Sequence, residues 1–92
     1  MTMPELEREA TIVNSLGMHA RPAAQFVRLA SSFMSDILVS KDGIDVNGKS
    51  IMGVMMLAAE CGSAIRIKAT GDDAERAMDA LTKLVADGFG EM

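Results

Sequence analysis

Apolar and polar positions alternate and recur along this chain with two different periods. Leu6 to Asn14 is partly alternating and ends in β-branched residues, which predicts a strand. Ala23, Ala24, Phe26, Val27, Ala30 and Phe33 then recur at helical spacing, predicting a helix over about His19–Phe33. Asp36–Lys41 and Ile44–Asn47 read as two short strands joined by Asp42-Gly43, a pair that supplies the positive φ values of a tight hairpin turn. Ser50–Leu57 is apolar almost all round, with Ser50 as a candidate N-cap. Gly53 lies inside it and costs about 1 kcal/mol of helix propensity relative to Ala. Such a helix is either buried or presents an apolar face to a partner.

Ala64–Thr70 alternates cleanly, with Ile65 and Ile67 on one face and Arg66 and Lys68 on the other, as a strand with one wet side requires. Asp72 stands three residues before Glu75 in a capping-box pattern. Ala74, Ala77, Met78, Leu81, Leu84 and Val85 form the stripe of a last helix ending at Gly88. Residues 1–5 are expected to be a loose start and Phe89–Met92 a tail. The order is β-α-β-β-α-β-α. Amphipathic strands and striped helices in that order predict an α+β fold: a four-stranded antiparallel sheet with three helices on one face, an open-faced β-sandwich.

Composition narrows this further. Ninety-two residues make one domain, 1–92, with a single modest core. That core is aliphatic, because aromatics are only 3% and Met numbers nine. The formal net charge of −4 and the lack of a Lys/Arg cluster argue against nucleic-acid binding. No apolar run is long enough to span a bilayer and the N-terminal residues lack a signal-peptide pattern, so membrane insertion is not expected and a cytoplasmic location is. One cysteine, Cys61, allows no internal disulfide. Ala59-Glu60-Cys61-Gly62 reads as a helix end with Gly at C′, and without a basic neighbour the thiol is expected to be unreactive. No metal or cofactor is expected.

The candidate chemistry lies in Gly17-Met18-His19-Ala20-Arg21-Pro22-Ala23. Pro22 suits a first helical turn, since the N–H it lacks would have had no partner there. His19, the only histidine, therefore sits at or next to an N-cap, beside unpaired N–H groups and the positive end of the helix dipole. Arg21 adds donors shaped for phosphate. These features suit a histidine that carries a phosphoryl group. Taken alone, they equally describe a helix cap or a surface histidine near an anion site.

Two motifs resolve the choice by resemblance. Gly17-Met18-His19-Ala20-Arg21-Pro22-Ala23 resembles the active-site signature of the HPr family, the histidine-containing phosphocarriers of the bacterial sugar phosphotransferase system. Asn47-Gly48-Lys49-Ser50-Ile51-Met52-Gly53-Val54-Met55-Met56-Leu57 resembles that family's serine-site region, in the same order and separation. The resemblance covers roughly residues 6–88. It implies a carrier rather than a stand-alone enzyme. His19 would take a phosphoryl group on Nδ1 from phosphorylated enzyme I and pass it to IIA domains of sugar permeases. The backbone N–H groups of Ala20 and Arg21, and the Arg21 side chain, would hold the phosphoryl oxygens. Ser50 would be phosphorylated by HPr kinase/phosphorylase, a role compatible with capping a helix and not required by it. Partners would dock on Arg28, Lys49, Ile51, Met52 and Met55, and a monomer is expected. A nitrogen-related phosphotransferase carrier, or a regulatory module of the same fold acting in signalling, is the alternative.

Overall fold

The computed structural model describes residues 3–91. Residues 1, 2 and 92, parts of the expected loose start and tail, lie outside the described residues. Strand β1 (Glu5–Thr11) leads into helix α1 (Ala20–Ser31), strands β2 (Asp36–Lys41) and β3 (Ile44–Asn47), and helix α2 (Ile51–Met56). Strand β4 (Ala64–Thr70), helix α3 (Ala74–Ala86) and a 3-10 turn (Gly88–Gly90) follow. The four strands form one sheet in the order β1-β4-β2-β3, and every neighbouring pair is antiparallel.

Strand alternation sets the layers. Ile65, Ile67 and Ala69 of β4, with Ile37 and Val39 of β2, are buried under the helices. Between them, Arg66 and Lys68 face outward on the open side, opposite Glu9 and Glu7 of β1. Arg66 pairs with Glu7 at 3.0 Å across this wet face. Phe26, Ala23 and Ala30 of α1 and Met78, Leu81 and Val85 of α3 complete the core. Asp42 (φ 51) and Gly43 (φ 83) make the predicted β2–β3 turn.

Helix α2 resolves its ambiguity by doing both things. Val54 and Leu57 point inward, while Ile51, Met52, Met55 and Met56 are exposed. Ser50 caps it, its Oγ accepting the Gly53 N–H at 3.1 Å. Gly53 has a packing reason: a Cβ there would lie 3.3 Å from both the Ser50 Oγ and Val46 of β3.

Several expectations at the element ends change, and helix α1 stops at Ser31 rather than Phe33. Strand β1 ends at Thr11 rather than Asn14, because its partner β4 begins only at Ala64. Beyond that point Ile12 bonds the turn at Gly62 and Ser63 instead. Cys61 is not at a helix end. Helix α2 stops five residues earlier, at Met56, with Ala58 in the left-handed region (φ 49), and Cys61 lies exposed in the turn before β4. The Asp72–Glu75 capping box does not form. The N-cap of α3 is Asp73, whose side chain makes no cap bond and instead accepts from the Met34 N–H, the Ser35 N–H and the Ser35 hydroxyl. Those distant donors win because they would otherwise be unpaired at the α1–β2 corner. Finally, Phe89 is no loose tail: it is buried.

The Ser35 hydroxyl, followed by the two backbone N–H groups, pulls the Asp73 carboxyl down from the ordinary 3.8 to about 2. A carboxyl with a depressed folded pKa contributes stability above its unfolded value that is lost as pH falls through the folded one. Thermal midpoints of the wild type and Asp73→Asn are expected to differ by a constant amount above about pH 5. The gap should narrow between pH 4 and 2, which calorimetry across that range would check.

Candidate functional site

The loop from Ile12 to His19 has no regular structure, so other segments must hold it. The Asn14 carbonyl accepts the Gly17 N–H at 3.0 Å, and the buried Asn14 amide donates to the Gly17 carbonyl at 2.8 Å. Met18 is buried, and its N–H donates 2.8 Å to the Ala59 carbonyl in the loop after α2. Gly17 is in the left-handed region (φ 69), and a Cβ there would lie 2.5 Å from that same Ala59 oxygen. Glycine is required twice over, for its backbone conformation and for the close approach.

His19 is the N-cap residue of α1, in extended backbone conformation, and its carbonyl accepts the Ala23 N–H. The side chain makes no cap bond and turns toward the chain's last turn. Its Nε2 lies 2.9 and 3.1 Å from the two carboxylate oxygens of Glu91. A carboxylate only accepts, so Nε2 carries the proton and Nδ1 the lone pair of the neutral ring. Among the described residues Nδ1 has no hydrogen-bond partner, and the ring is 36% exposed. The ring is thus held at Nε2 and unbonded at Nδ1 among those residues.

Glu91 is itself positioned. The Asn14 amide donates to it at 3.0 Å, and Phe89, two residues earlier, is buried with a positive φ of 57. The bond from the His19 ring, aided by Asn14 and the charges of His19 and Arg21, holds the Glu91 carboxyl below its usual range. Sequence reasoning missed both Asn14 and Glu91. Glu91 is 72 residues from His19 in the chain, and no local pattern marks it; the apolar Phe89 after the helix-ending Gly88 was the one available signal.

Arg21 is exposed and makes no hydrogen bond or ion pair among the described residues. With Ser15, Leu16, Gly90 and Glu91 it lines a shallow depression next to the histidine. Ala20 and Arg21 are the first two residues of α1, whose N–H groups have no intrahelical carbonyl to bond. Arg28 is exposed in the last turn of α1. Lys49 is engaged: its Nζ donates 2.8 Å to the Phe33 carbonyl just past the end of α1. Ile51, Met52 and Met55 form the exposed face of α2, which packs beside α1. Another depression lies on the open sheet face, lined by Glu7, Glu9, Arg66 and Lys68; it is a solvated surface of charges that pair with one another. Among the described residues no group of His, Cys, Asp and Glu is placed to hold a metal ion.

A half-buried single histidine at a helix start, with one ring nitrogen pinned and beside it an arginine that has no partner among the described residues, suits a transferable phosphoryl group. The family described as "PTS HPr component phosphorylation site" matches residues 6–87. The chain belongs to the HPr phosphocarrier family. The phosphocarrier protein HPr of Cupriavidus necator is 50% identical over 86 residues, 94% of this chain and 97% of that protein. The crystal structure of HPr-C-His from Thermoanaerobacter tengcongensis superposes with a TM-score of 0.91 at 48% identity, covering 95% of this chain and 98% of that one. A structure described as an HPr dimer from the same organism matches at TM-score 0.76 and 51% identity, over 87% of this chain and 92% of that one. The carrier role in the phosphotransferase system follows from this membership. No helix among the described residues is long and apolar enough to cross a membrane.

A side chain at Gly17 would strain the backbone and push on the Ala59 carbonyl. Gly17→Ala is expected to cost about 2–4 kcal/mol, read from urea unfolding as a lower midpoint with an unchanged slope.

Proposed function

We propose that His19 is the residue that carries the phosphoryl group, accepting it on Nδ1 from phosphorylated enzyme I and donating it to IIA domains of sugar permeases. The observation that carries this reading is the ring itself: Nε2 is occupied by Glu91, while Nδ1 has no hydrogen-bond partner among the described residues and the side chain is partly exposed. The N–H groups of Ala20 and Arg21 and the Arg21 guanidinium hold the phosphoryl oxygens, neutralising charge at the place where it develops. Arg21 has no competing partner among the described residues, which supports this assignment.

Docking uses the exposed apolar face of Ile51, Met52 and Met55, together with the exposed Arg28 of α1. Flexible methionines suit a surface that must fit several partners in turn. Lys49 adds its charge from an anchored position, because its ammonium already bonds the Phe33 carbonyl. Ser50 is the regulatory position for HPr kinase/phosphorylase. Its hydroxyl already accepts a helix N–H, so a phosphate placed there keeps that acceptor and adds roughly −2 charge next to the docking face. An acidic partner is then repelled while the fold is retained. The working form is a cytoplasmic monomer, for which sedimentation velocity is the check.

Phosphoenolpyruvate and enzyme I are expected to add one acid-labile phosphoryl group by intact mass, and none to His19→Ala. Arg21→Ala should load about a hundredfold more slowly, the effect of removing one preorganised donor. Labelling of His19→Ala equal to the wild type would exclude the assignment. With ATP and HPr kinase/phosphorylase, an acid-stable group is expected on the wild type and none on Ser50→Ala; the modified protein should load more slowly from enzyme I.

A further inference from the structure

The last turn of the chain is built to bring one carboxylate to the histidine ring. Gly88 (φ 62), Phe89 (φ 57) and Gly90 (φ 73) all take the left-handed conformation, which bends the chain back after α3. A left-handed phenylalanine is disfavoured and is retained here because its side chain is buried in the core. The result is Glu91 with its side chain only 16% exposed, both oxygens on His19 Nε2 and one of them also on the Asn14 amide. Asn14 in turn bonds the Gly17 carbonyl, so one buried amide ties the active loop and the tail together.

We propose that Glu91 is a positioning residue for phosphoryl transfer, holding the proton on Nε2 so that Nδ1 is the nucleophile and balancing the positive charge the ring gains. The proposal rests on His19 as the carrier. In the loading step the Nδ1 lone pair forms the N–P bond while the donor's bond to phosphorus breaks, its electron pair leaving with the donor. No proton departs from the His19 ring, so the ring becomes cationic while still protonated at Nε2, in contact with the Glu91 carboxylate. In the unloading step the N–P bond electrons return to Nδ1 and the ring leaves as neutral imidazole. Without a proton held on Nε2 it would have to leave as the far more basic imidazolide. The carboxylate in a Ser-His-Asp triad holds its histidine in the same way, fixing the tautomer and stabilising the imidazolium. Glu91 lies across the ring from Nδ1, and Arg21 on the same depression offsets its charge toward an incoming phosphoryl group.

The test compares the full chain with Glu91→Ala and Glu91→Gln. The ¹⁵N spectrum of the neutral His19 ring reports which nitrogen holds the proton, and rapid-quench transfer from phosphorylated enzyme I reports the rate. Glu91→Ala is expected to raise the Nδ1–H tautomer and slow transfer about tenfold, the low end of what a histidine's orienting partner contributes. Glu91→Gln keeps an acceptor without the charge, and should retain the Nε2–H tautomer with a rate between the other two. An unchanged tautomer in Glu91→Ala, or a rate equal to or above the wild type, overturns the proposal while phosphorylation of the wild type and its absence in His19→Ala leave the carrier assignment standing. A wild type that takes up no phosphoryl group overturns both.

Discussion

The hydrogen bond from the Met18 N–H to the Ala59 carbonyl joins the loop of the histidine to the region of the apolar helix face. It fastens the loop before α1 to the loop after α2. The loop it fastens has no ladder or helix of its own and would otherwise leave buried polar groups unpaired. Because Gly17 packs on that same carbonyl, the histidine and the apolar face of α2 are held on one rigid frame rather than on two independent loops. The docking proposed above would engage both in a single event.

The second constraint is that a phosphorylatable ring must be exposed yet ordered. Exposure alone would leave His19 free to rotate and to exchange tautomers. Burial would keep two different partners from reaching the same nitrogen. The fold pins the Nε2 side, through Glu91 and Asn14, and leaves Nδ1 without a hydrogen-bond partner among the described residues on a partly exposed side chain. The net charge of −4 does not prevent a cationic local field, because Arg21 is unpaired while many of the carboxylates lie away from the site, on the open face of the sheet and its β1 edge.

Most of the elements were legible in the chain for a simple reason. Strands with one wet face and helices with one apolar stripe leave a periodic trace, and β2, β3 and β4 are observed with the predicted bounds. Asp42-Gly43 and Ser50 were legible because their bonds are local, within a few residues. The errors share a different cause. Asp73 was passed over for Asp72 because its donors, Met34 and Ser35, are 39 and 38 residues away. Cys61 was assigned to a helix end because a following glycine is the commoner stop, whereas Ala58 takes that conformation here.

By itself, then, the sequence determined the order of elements and the faces they bury, and it pointed to His19, Arg21 and Ser50 as the candidates for chemistry, each in a local motif that a few neighbours define. The tertiary structure alone decided which ring nitrogen is engaged. That depends on Glu91 and Asn14, brought to His19 by the burial of Phe89 and the bend after α3. Those contacts close over the whole length of the chain, and contacts between distant residues leave no period for a reader of the sequence to find.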